Sequence, residues 1–178
     1  MVHAIIDRYY PNGHPAKKLL VTHSTMVKQK ALHIAKAHPE LGADKKLLSD
    51  GAMLHDIGIV ATYAPDINCY GKHPYIMHGV LGRKMIENTN MKHLALFAER
   101  HTGAGLSLQE IQSAGLPLPH RDMLPQTIEE KIICFADLFF SKSRNIETEK
   151  SVEEIQKGLI KYGAEQLNRF NDWCTLFL

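Results

Sequence analysis

The chain has 178 residues, of which 44% are hydrophobic and 22% are charged, and its formal net charge is +2. This length suits one compact domain with a single core, and the composition is that of an ordinary globular protein. Lys and Arg are scattered among acidic residues, which argues against the concentrated basic surface of nucleic-acid-binding domains.

Apolar residues recur at helical spacing along most of the chain. Pro15 and Pro74 suit the first turn of a helix, whereas Gly58 and Gly103 suit the positions just after a helix. The predicted helices of the first two thirds of the chain cover residues 15–37, 44–57, 74–88 and 91–101.

The last third begins with a loop. Gly and Pro are frequent between residues 102 and 126, which indicates a loop with one short helix near SLQEIQSA. Capping boxes at Thr127 and Ser151 predict helices over 127–143 and 151–173. Because no alternating strand pattern of sufficient length occurs, we expect an all-α fold, with residues 1–178 in one domain and the C-terminal helix packed on it.

Cysteine usage and the N-terminal segment indicate the compartment. Three cysteines, Cys69, Cys134 and Cys174, form no CxxC pair, so neither a disulfide framework nor a thiolate zinc site is expected. No secretory signal is recognisable, and no apolar run approaches the ~20 residues of a membrane span. We expect a cytoplasmic protein without membrane association, and we leave homo-oligomerisation open.

The chain has 11 histidines, and their helical neighbours separate inward from outward ones. Positions three and four residues apart share a helix face, so an ionisable group with apolar neighbours there points into the core. His33, which lies among Gln and Lys residues, is expected at the surface. The criterion selects an inward set: His23, His55, His78, His101 and Asp137.

A single inward His is usually a hydrogen-bonded core residue. Several buried imidazoles together with acidic groups, however, are costly unless a cation neutralises them. Nitrogen and oxygen ligands without thiolate suit Mn, Fe, Co, Ni or Mg better than a closed structural zinc site. The set therefore predicts a divalent metal centre between the helices.

The order His23, then His55-Asp56-Ile57-Gly58, then Asp137 resembles the H…HD…D pattern of the HD-domain metal-dependent phosphohydrolase superfamily, in its HDIG form. The resemblance covers about residues 18–144. His78-Gly-Val-Leu-Gly82 and Arg100-His101 resemble accessory ligand segments of this superfamily. Some members have Lys where this chain has Ile59, and others have two histidines where it has Arg100-His101.

The resemblance implies a helical HD-domain bundle and a ligand set. It places His23, His55, Asp56 and Asp137 on one ion, and His78, His101 and the far oxygen of Asp56 on a second. His55 and Asp56 would also be the catalytic pair. A bound divalent ion can lower the pKa of water from 15.7 toward ~7.

Substrate recognition is expected from cationic groups near the ligands. Arg can bind phosphate through two hydrogen bonds. The candidates are Arg100, Arg144, Lys72 and His73, and the segments 60–73 and 102–126 are expected to line the entrance.

Together these features predict a metal-dependent hydrolase of a small, nucleotide-like phosphomonoester or phosphodiester. Two alternatives stay open at this point. The same ligands could hold two irons that activate O₂ in an HD-fold oxygenase, or the domain could be a non-catalytic module that binds metal or nucleotide.

Overall fold

The computed structural model describes residues 1–142 and 146–178. Within these residues the chain forms nine α-helices and one small antiparallel hairpin, which agrees with the expected all-α class. The helices are α1 (Val2–Tyr9), α2 (Lys17–Ala37), α3 (Lys45–Leu54), α4 (His78–Glu87), α5 (Ala95–Glu99), α6 (Leu108–Ser113), α7 (Ile128–Leu138), α8 (Val152–Leu159) and α9 (Ala164–Phe177), and the strands are β1 (Tyr63–Ala64) and β2 (Cys69–Tyr70).

The core forms where α2 packs against α3 and α7. Leu20, Val27, Ala31 and Ile34 follow one another at helical spacing on α2, and all are buried. His23 lies on the same stripe, so the packing that buries the apolar residues also buries this imidazole. α3 contacts α5 and α7, and α4 contacts α5 and the 3₁₀ turn Ile57–Ala61.

Side-chain caps begin several helices. Asp44 accepts hydrogen bonds from the backbone N–H groups of Lys46 and Leu47 at the start of α3. Ser107 and Ser151 form full capping boxes, as predicted for Ser151. Thr127 accepts from the backbone of Glu130, but the Glu130 carboxylate accepts from the Gln126 N–H instead of the Thr127 N–H. The capping box predicted at Thr127 is therefore only half formed.

Gly58 has a different role from the predicted helix cap. α3 ends at Leu54, and Gly58 lies inside the 3₁₀ turn Ile57–Ala61. A Cβ at Gly58 would lie 2.1 Å from the His78 carbonyl oxygen and 2.4 Å from the Gly82 nitrogen. The glycine therefore allows this turn to contact the backbone of α4 directly.

Other boundaries also differ from the prediction. α5 ends at Glu99, four residues before Gly103, and α7 ends at Leu138 rather than at 143. The segment expected as one C-terminal helix is two helices, α8 and α9, because the chain turns at Gly163 with φ of 117°. α1 and the hairpin were not predicted.

The second half of the C-terminal segment packs on the core. Phe170, Trp173 and Phe177 of α9 are buried, and the ring of Phe170 stacks on Phe135 of α7 at 5.4 Å. No helix of the described residues is both long and apolar enough to cross a membrane.

Candidate metal centre

The six predicted ligands come from five segments of the chain and meet in the interior. They lie on α2, at the end of α3, at the start of α4, just after α5, and on the last turn of α7. All are buried as expected, with exposed fractions of 0% for three of them and at most 8% for the rest: His23, His55, Asp56, His101, His78 and Asp137.

The first group of ligands is His23, His55, Asp56 and Asp137, and its two imidazoles lie beside one oxygen of each carboxylate. The Nε2 atom of His23 lies 2.8 Å from Oδ1 of Asp137 and 3.3 Å from Oδ2 of Asp56. The Nε2 atom of His55 lies 3.3 Å from the same Asp56 oxygen and 3.4 Å from the same Asp137 oxygen. Four potential ligand atoms, one from each residue, thus lie within 4.8 Å of one another.

The second group uses the other oxygen of Asp56. Oδ1 lies 3.2 Å from Nε2 of His101 and 3.6 Å from Nε2 of His78, and these two nitrogens are 3.1 Å apart. Asp56 therefore faces two sets of imidazoles, one with each oxygen.

Three of the imidazoles are oriented by the backbone of the preceding turn. Nδ1 of His55 lies 2.6 Å from the Ala52 carbonyl oxygen, and His78 and His101 make the same contact with the carbonyls three residues before them at 2.7 Å. A carbonyl oxygen only accepts, so Nδ1 carries the proton and donates. Nε2 therefore faces the centre, and on loss of any proton there its lone pair could bind an ion, which is the arrangement of a metal-bound histidine.

The chemistry of the donor set fits a divalent cation. Among the described residues, Oδ1 of Asp56, Nε2 of His55 and Nδ1 of His23 have no hydrogen-bond partner, and Oδ2 of Asp56 has the Lys142 ammonium beside it at 3.0 Å. Buried polar atoms without partners are costly, and a carboxylate especially so. An ion bound by Asp56 and the Nε2 atoms would compensate this cost.

Lys142 is a further charged group in the centre, and the sequence analysis missed it. Its Nζ lies 3.0 Å from Oδ2 of Asp56 and 3.5 Å from Oδ1 of Asp137. On the predicted continuous helix, a residue five positions after Asp137 would point about 140° away from it. Because α7 ends at Leu138, the chain instead turns back and brings Lys142 to the carboxylates.

The charges of the centre shift one another's titration. Burial raises the pKa of Asp56 and Asp137, but Lys142 and the neighbouring imidazoles outweigh it and hold both well below their usual range. Burial lowers the pKa of His55, yet Asp56 and Asp137 raise it to about 10. Burial and His101 lower the pKa of His78 to about 3. The carboxylates thus stay ionised and strongly favour a cation beside them.

Of the predicted substrate-binding residues that the structure describes, one is paired with a carboxylate outside the ligand set and two are exposed. Arg100 donates hydrogen bonds from one nitrogen to both carboxylate oxygens of Glu130 at 3.1 and 3.0 Å, since the end of α5 faces the start of α7. Lys72 and His73 are exposed. Arg144 lies outside the described residues, so its role stays a prediction.

A cavity of about 560 Å³ adjoins the centre. Lys142 and Tyr75 form part of its wall, and the Tyr75 ring stacks on His78 with ring centroids 4.7 Å apart. Lys150, Tyr162 and Ile67 contribute further wall atoms. The segment 60–73 thus lines this cavity as expected, whereas the described lining includes no residue of 102–126.

The comparisons with known proteins agree with this geometry at the level of the family. The model of the family described as HD domain matches residues 20–140. An uncharacterized protein of Methanocaldococcus jannaschii is 34% identical over 145 residues, which are 80% of this chain and 78% of that protein. No solved structure matches significantly.

Two further relatives carry a functional name. A tRNA (cytidine(56)-2'-O)-methyltransferase of Picrophilus torridus is 30% identical over 88% of this chain, and one of Thermoplasma volcanium is 29% identical over 96% of it. The aligned parts make up 42% and 45% of these methyltransferases. The chain therefore spans less than half the length of either one.

Proposed function

The chain belongs to the HD-domain superfamily of metal-dependent phosphohydrolases, and on that premise we propose that it hydrolyses a phosphate ester. The substrate would be a small phosphorylated molecule of nucleotide type. His23, His55, Asp56 and Asp137 would hold one divalent ion, and Asp56, His78 and His101 a second.

The observation that carries this proposal is the position of Asp56. Its two oxygens are buried, each faces a separate pair of imidazoles, and the only other cationic group beside them among the described residues is the Lys142 ammonium, 3.0 Å from Oδ2. A bound divalent ion would lower the pKa of water and withdraw charge from a phosphoryl oxygen. The chain's own residues would fix the ion positions, and the cavity beside Tyr75 and Lys142 would admit the ester.

The choice of ion follows from the ligand atoms. Imidazole nitrogen and carboxylate oxygen suit Mn, Fe, Co, Ni and Mg. We therefore propose one of these ions as the cofactor.

The test is a panel of phosphomonoesters and phosphodiesters assayed with each of these ions, in air and under anaerobic conditions. We expect turnover that requires a divalent ion, persists without oxygen and is lost in Asp137→Asn. Turnover that needs iron and oxygen together would favour the oxygenase instead. A chain that binds none of the ions would contradict the proposal.

The names of two relatives favour a second candidate, methyl transfer to tRNA. The buried cluster of imidazoles and carboxylates supports hydrolysis over this candidate, since it is a ligand set for a divalent ion. Incubation with a methyl donor and tRNA separates the two. Methyl incorporation that survives Asp137→Asn would favour the methyltransferase and count against the hydrolase.

A further inference from the structure

Lys142 lies between the centre and the cavity. Its ammonium contacts Oδ2 of Asp56 and Oδ1 of Asp137, while its side chain forms part of the cavity wall and is 17% exposed. The two carboxylate oxygens it contacts are the same ones that the first group of imidazoles surrounds. The ammonium and an ion held by this group would therefore compete for the same negative charge.

This competition has a consequence for the lysine. Two cations at such short range repel each other, and the repulsion is strong where water is largely excluded. With an ion on Asp56 and Asp137, the Lys142 ammonium would be left without these anionic partners. Tyr75 of the cavity wall accepts a hydrogen bond from this ammonium but is neutral, and Asp66 of the same wall is exposed. An anion bound in the cavity would therefore supply the missing negative charge.

A second ammonium belongs to the same cavity. Lys150 lines it, and its Nζ donates to the Leu138 carbonyl oxygen at 3.2 Å while its backbone N–H donates to the Phe139 carbonyl oxygen at 2.8 Å. These contacts fix Lys150 against the end of α7, next to Asp137. Burial lowers the pKa of Lys150, Asp137 opposes this by raising it, and the Lys142 ammonium lowers it again. An anion between the two lysines would favour the charged form of both.

We propose that Lys142, assisted by Lys150, binds the phosphoryl group of the substrate, and that the substrate is a phosphomonoester. This inference rests on the proposed hydrolase function. A monoester at neutral pH carries about two negative charges, as phosphorylated side chains do, and therefore matches two ammonium groups beyond the metal ions. A diester carries one.

The first test measures binding of inorganic phosphate to the Mn²⁺-loaded protein by calorimetry. We expect Lys142→Gln to weaken phosphate binding by about tenfold or more and Lys150→Gln to weaken it less. Lys142→Arg keeps the charge and should retain much of the affinity. Lys157→Gln removes the same charge from an exposed site on α8 and should change nothing. Wild-type phosphate affinity in Lys142→Gln, or no phosphate binding by the wild type, would overturn the proposal.

Metal affinity gives a readout that does not depend on turnover. Lys142→Gln removes a cation that competes for the carboxylates, so Mn²⁺ should bind several-fold more tightly, whereas a merely structural lysine would leave the affinity unchanged or lower it. Unchanged or weaker Mn²⁺ binding in this variant would contradict the proposed competition between Lys142 and the ion.

Turnover of p-nitrophenyl phosphate and bis-p-nitrophenyl phosphate tests the substrate class. We expect the monoester to be the better substrate and to lose most of its kcat/KM in Lys142→Gln. Faster hydrolysis of the diester by the wild type would overturn the assignment to monoesters while leaving the hydrolase proposal intact. A wild type that binds no Mn²⁺ would fail the proposed function itself.

Discussion

Asp56 is the residue on which both halves of the centre depend. Its Oδ2 faces His23 and His55, and its Oδ1 faces His78 and His101. Removing one of these histidines takes a ligand from one group, whereas changing Asp56 takes an anionic ligand from both. The two kinds of variant should therefore differ in how much metal they lose.

We expect Asp56→Asn to lose nearly all bound metal, while His78→Ala and His101→Ala each lower metal stoichiometry by about half. An amide offers one neutral oxygen in place of two anionic ones, so neither group keeps its charge balance. Metal analysis after dialysis, with circular dichroism to check folding, measures this. His33→Ala is the control, since His33 is exposed. Wild-type metal content in folded Asp56→Asn would refute the bridging role.

The helical neighbours of each candidate predicted which side chains are buried, because burial on a helix follows the spacing of apolar residues. This pattern identified His23 and Asp137, which lie 114 positions apart in the chain although His23 Nε2 is 2.8 Å from Asp137 Oδ1. It did not identify Lys142, because the position of Lys142 depends on where α7 ends and how the chain turns afterwards. Nor did it show that Arg100 pairs with Glu130, because that contact joins two separate elements.

Direct backbone contact joins the turn after the His55-Asp56 pair to α4. The Cβ of any residue other than Gly at position 58 would overlap backbone atoms of His78 and Gly82. A clash with backbone is harder to relieve than one with a flexible side chain, so this contact fixes the distance between the two ligand groups.

Gly58→Ala should lower the free energy of unfolding by about 3 kcal/mol, because overpacking against rigid atoms is destabilising. It should also reduce metal binding, since His78 would be displaced from Asp56. Gly158→Ala is the matched control. Gly158 lies on α8, where an added Cβ would meet no atom within 4 Å. Ala at this position should raise the free energy of unfolding by about 0.5–1 kcal/mol. Denaturant unfolding compares the two, and equal stabilities would contradict the role of Gly58.

α9 holds the loop that follows His101. Gln166 is 2% exposed, accepts from the Ala104 N–H at 2.7 Å and donates to the Gly105 carbonyl oxygen at 2.6 Å. Arg169 donates to the Ala104 carbonyl oxygen at 2.9 Å. The C-terminal helix therefore supports the second ligand group without belonging to it.

Gln166→Leu should lower the free energy of unfolding by about 1–3 kcal/mol, since it leaves buried backbone groups of the loop without partners. Metal binding by His78 and His101 should weaken more than binding by the group around His23. Gln112→Leu makes the same change at an exposed position of α6 and should be neutral. Unfolding curves and metal titrations report both effects. Equal behaviour of the two variants would exclude this supporting role.

At the scale of the whole molecule, Glu110 connects α6 to α9. Burial raises the pKa of Glu110, but the Ser107 N–H and the Arg169 guanidinium, among other hydrogen-bond donors, outweigh it and lower this pKa below 4.5. A carboxyl whose pKa is lower in the folded than in the unfolded chain stabilises the fold above the unfolded value. That contribution is lost as the pH falls from 4.5 through the folded pKa.

Glu110→Gln should therefore be less stable than the wild type at pH 7, by about 1–2 kcal/mol for charged hydrogen bonds, and the difference should shrink below pH 4.5. Denaturant unfolding at pH 7 and at pH 4 measures it. Glu165→Gln, a change at an exposed position in the first turn of α9, should show no such trend. If the stability difference between Glu110→Gln and the wild type grew on acidification, the prediction would be wrong.

The fold class and the order of the long helices could be predicted because their apolar stripes have a clear period. α1 and the hairpin could not: α1 has eight residues and no side-chain cap, unlike α6 and α8, and each strand has only two residues. α1 is positioned by tertiary contact instead, since the Tyr10 hydroxyl just after it donates to the Ile57 carbonyl oxygen at 2.9 Å and accepts from the Val60 N–H at 3.0 Å.

The separation of the ligands along the chain also bears on folding. His23 and Asp137 meet only after α2 and α7 have packed, so the complete ligand set exists in the folded chain alone. An ion bound only by the folded chain would stabilise it by mass action, by about 2.7 kcal/mol at a free concentration 100 times its Kd. The melting temperature should then rise with ion concentration and fall on chelation. The supply of the ion would thus govern the stability of the folded protein as well as its catalytic rate.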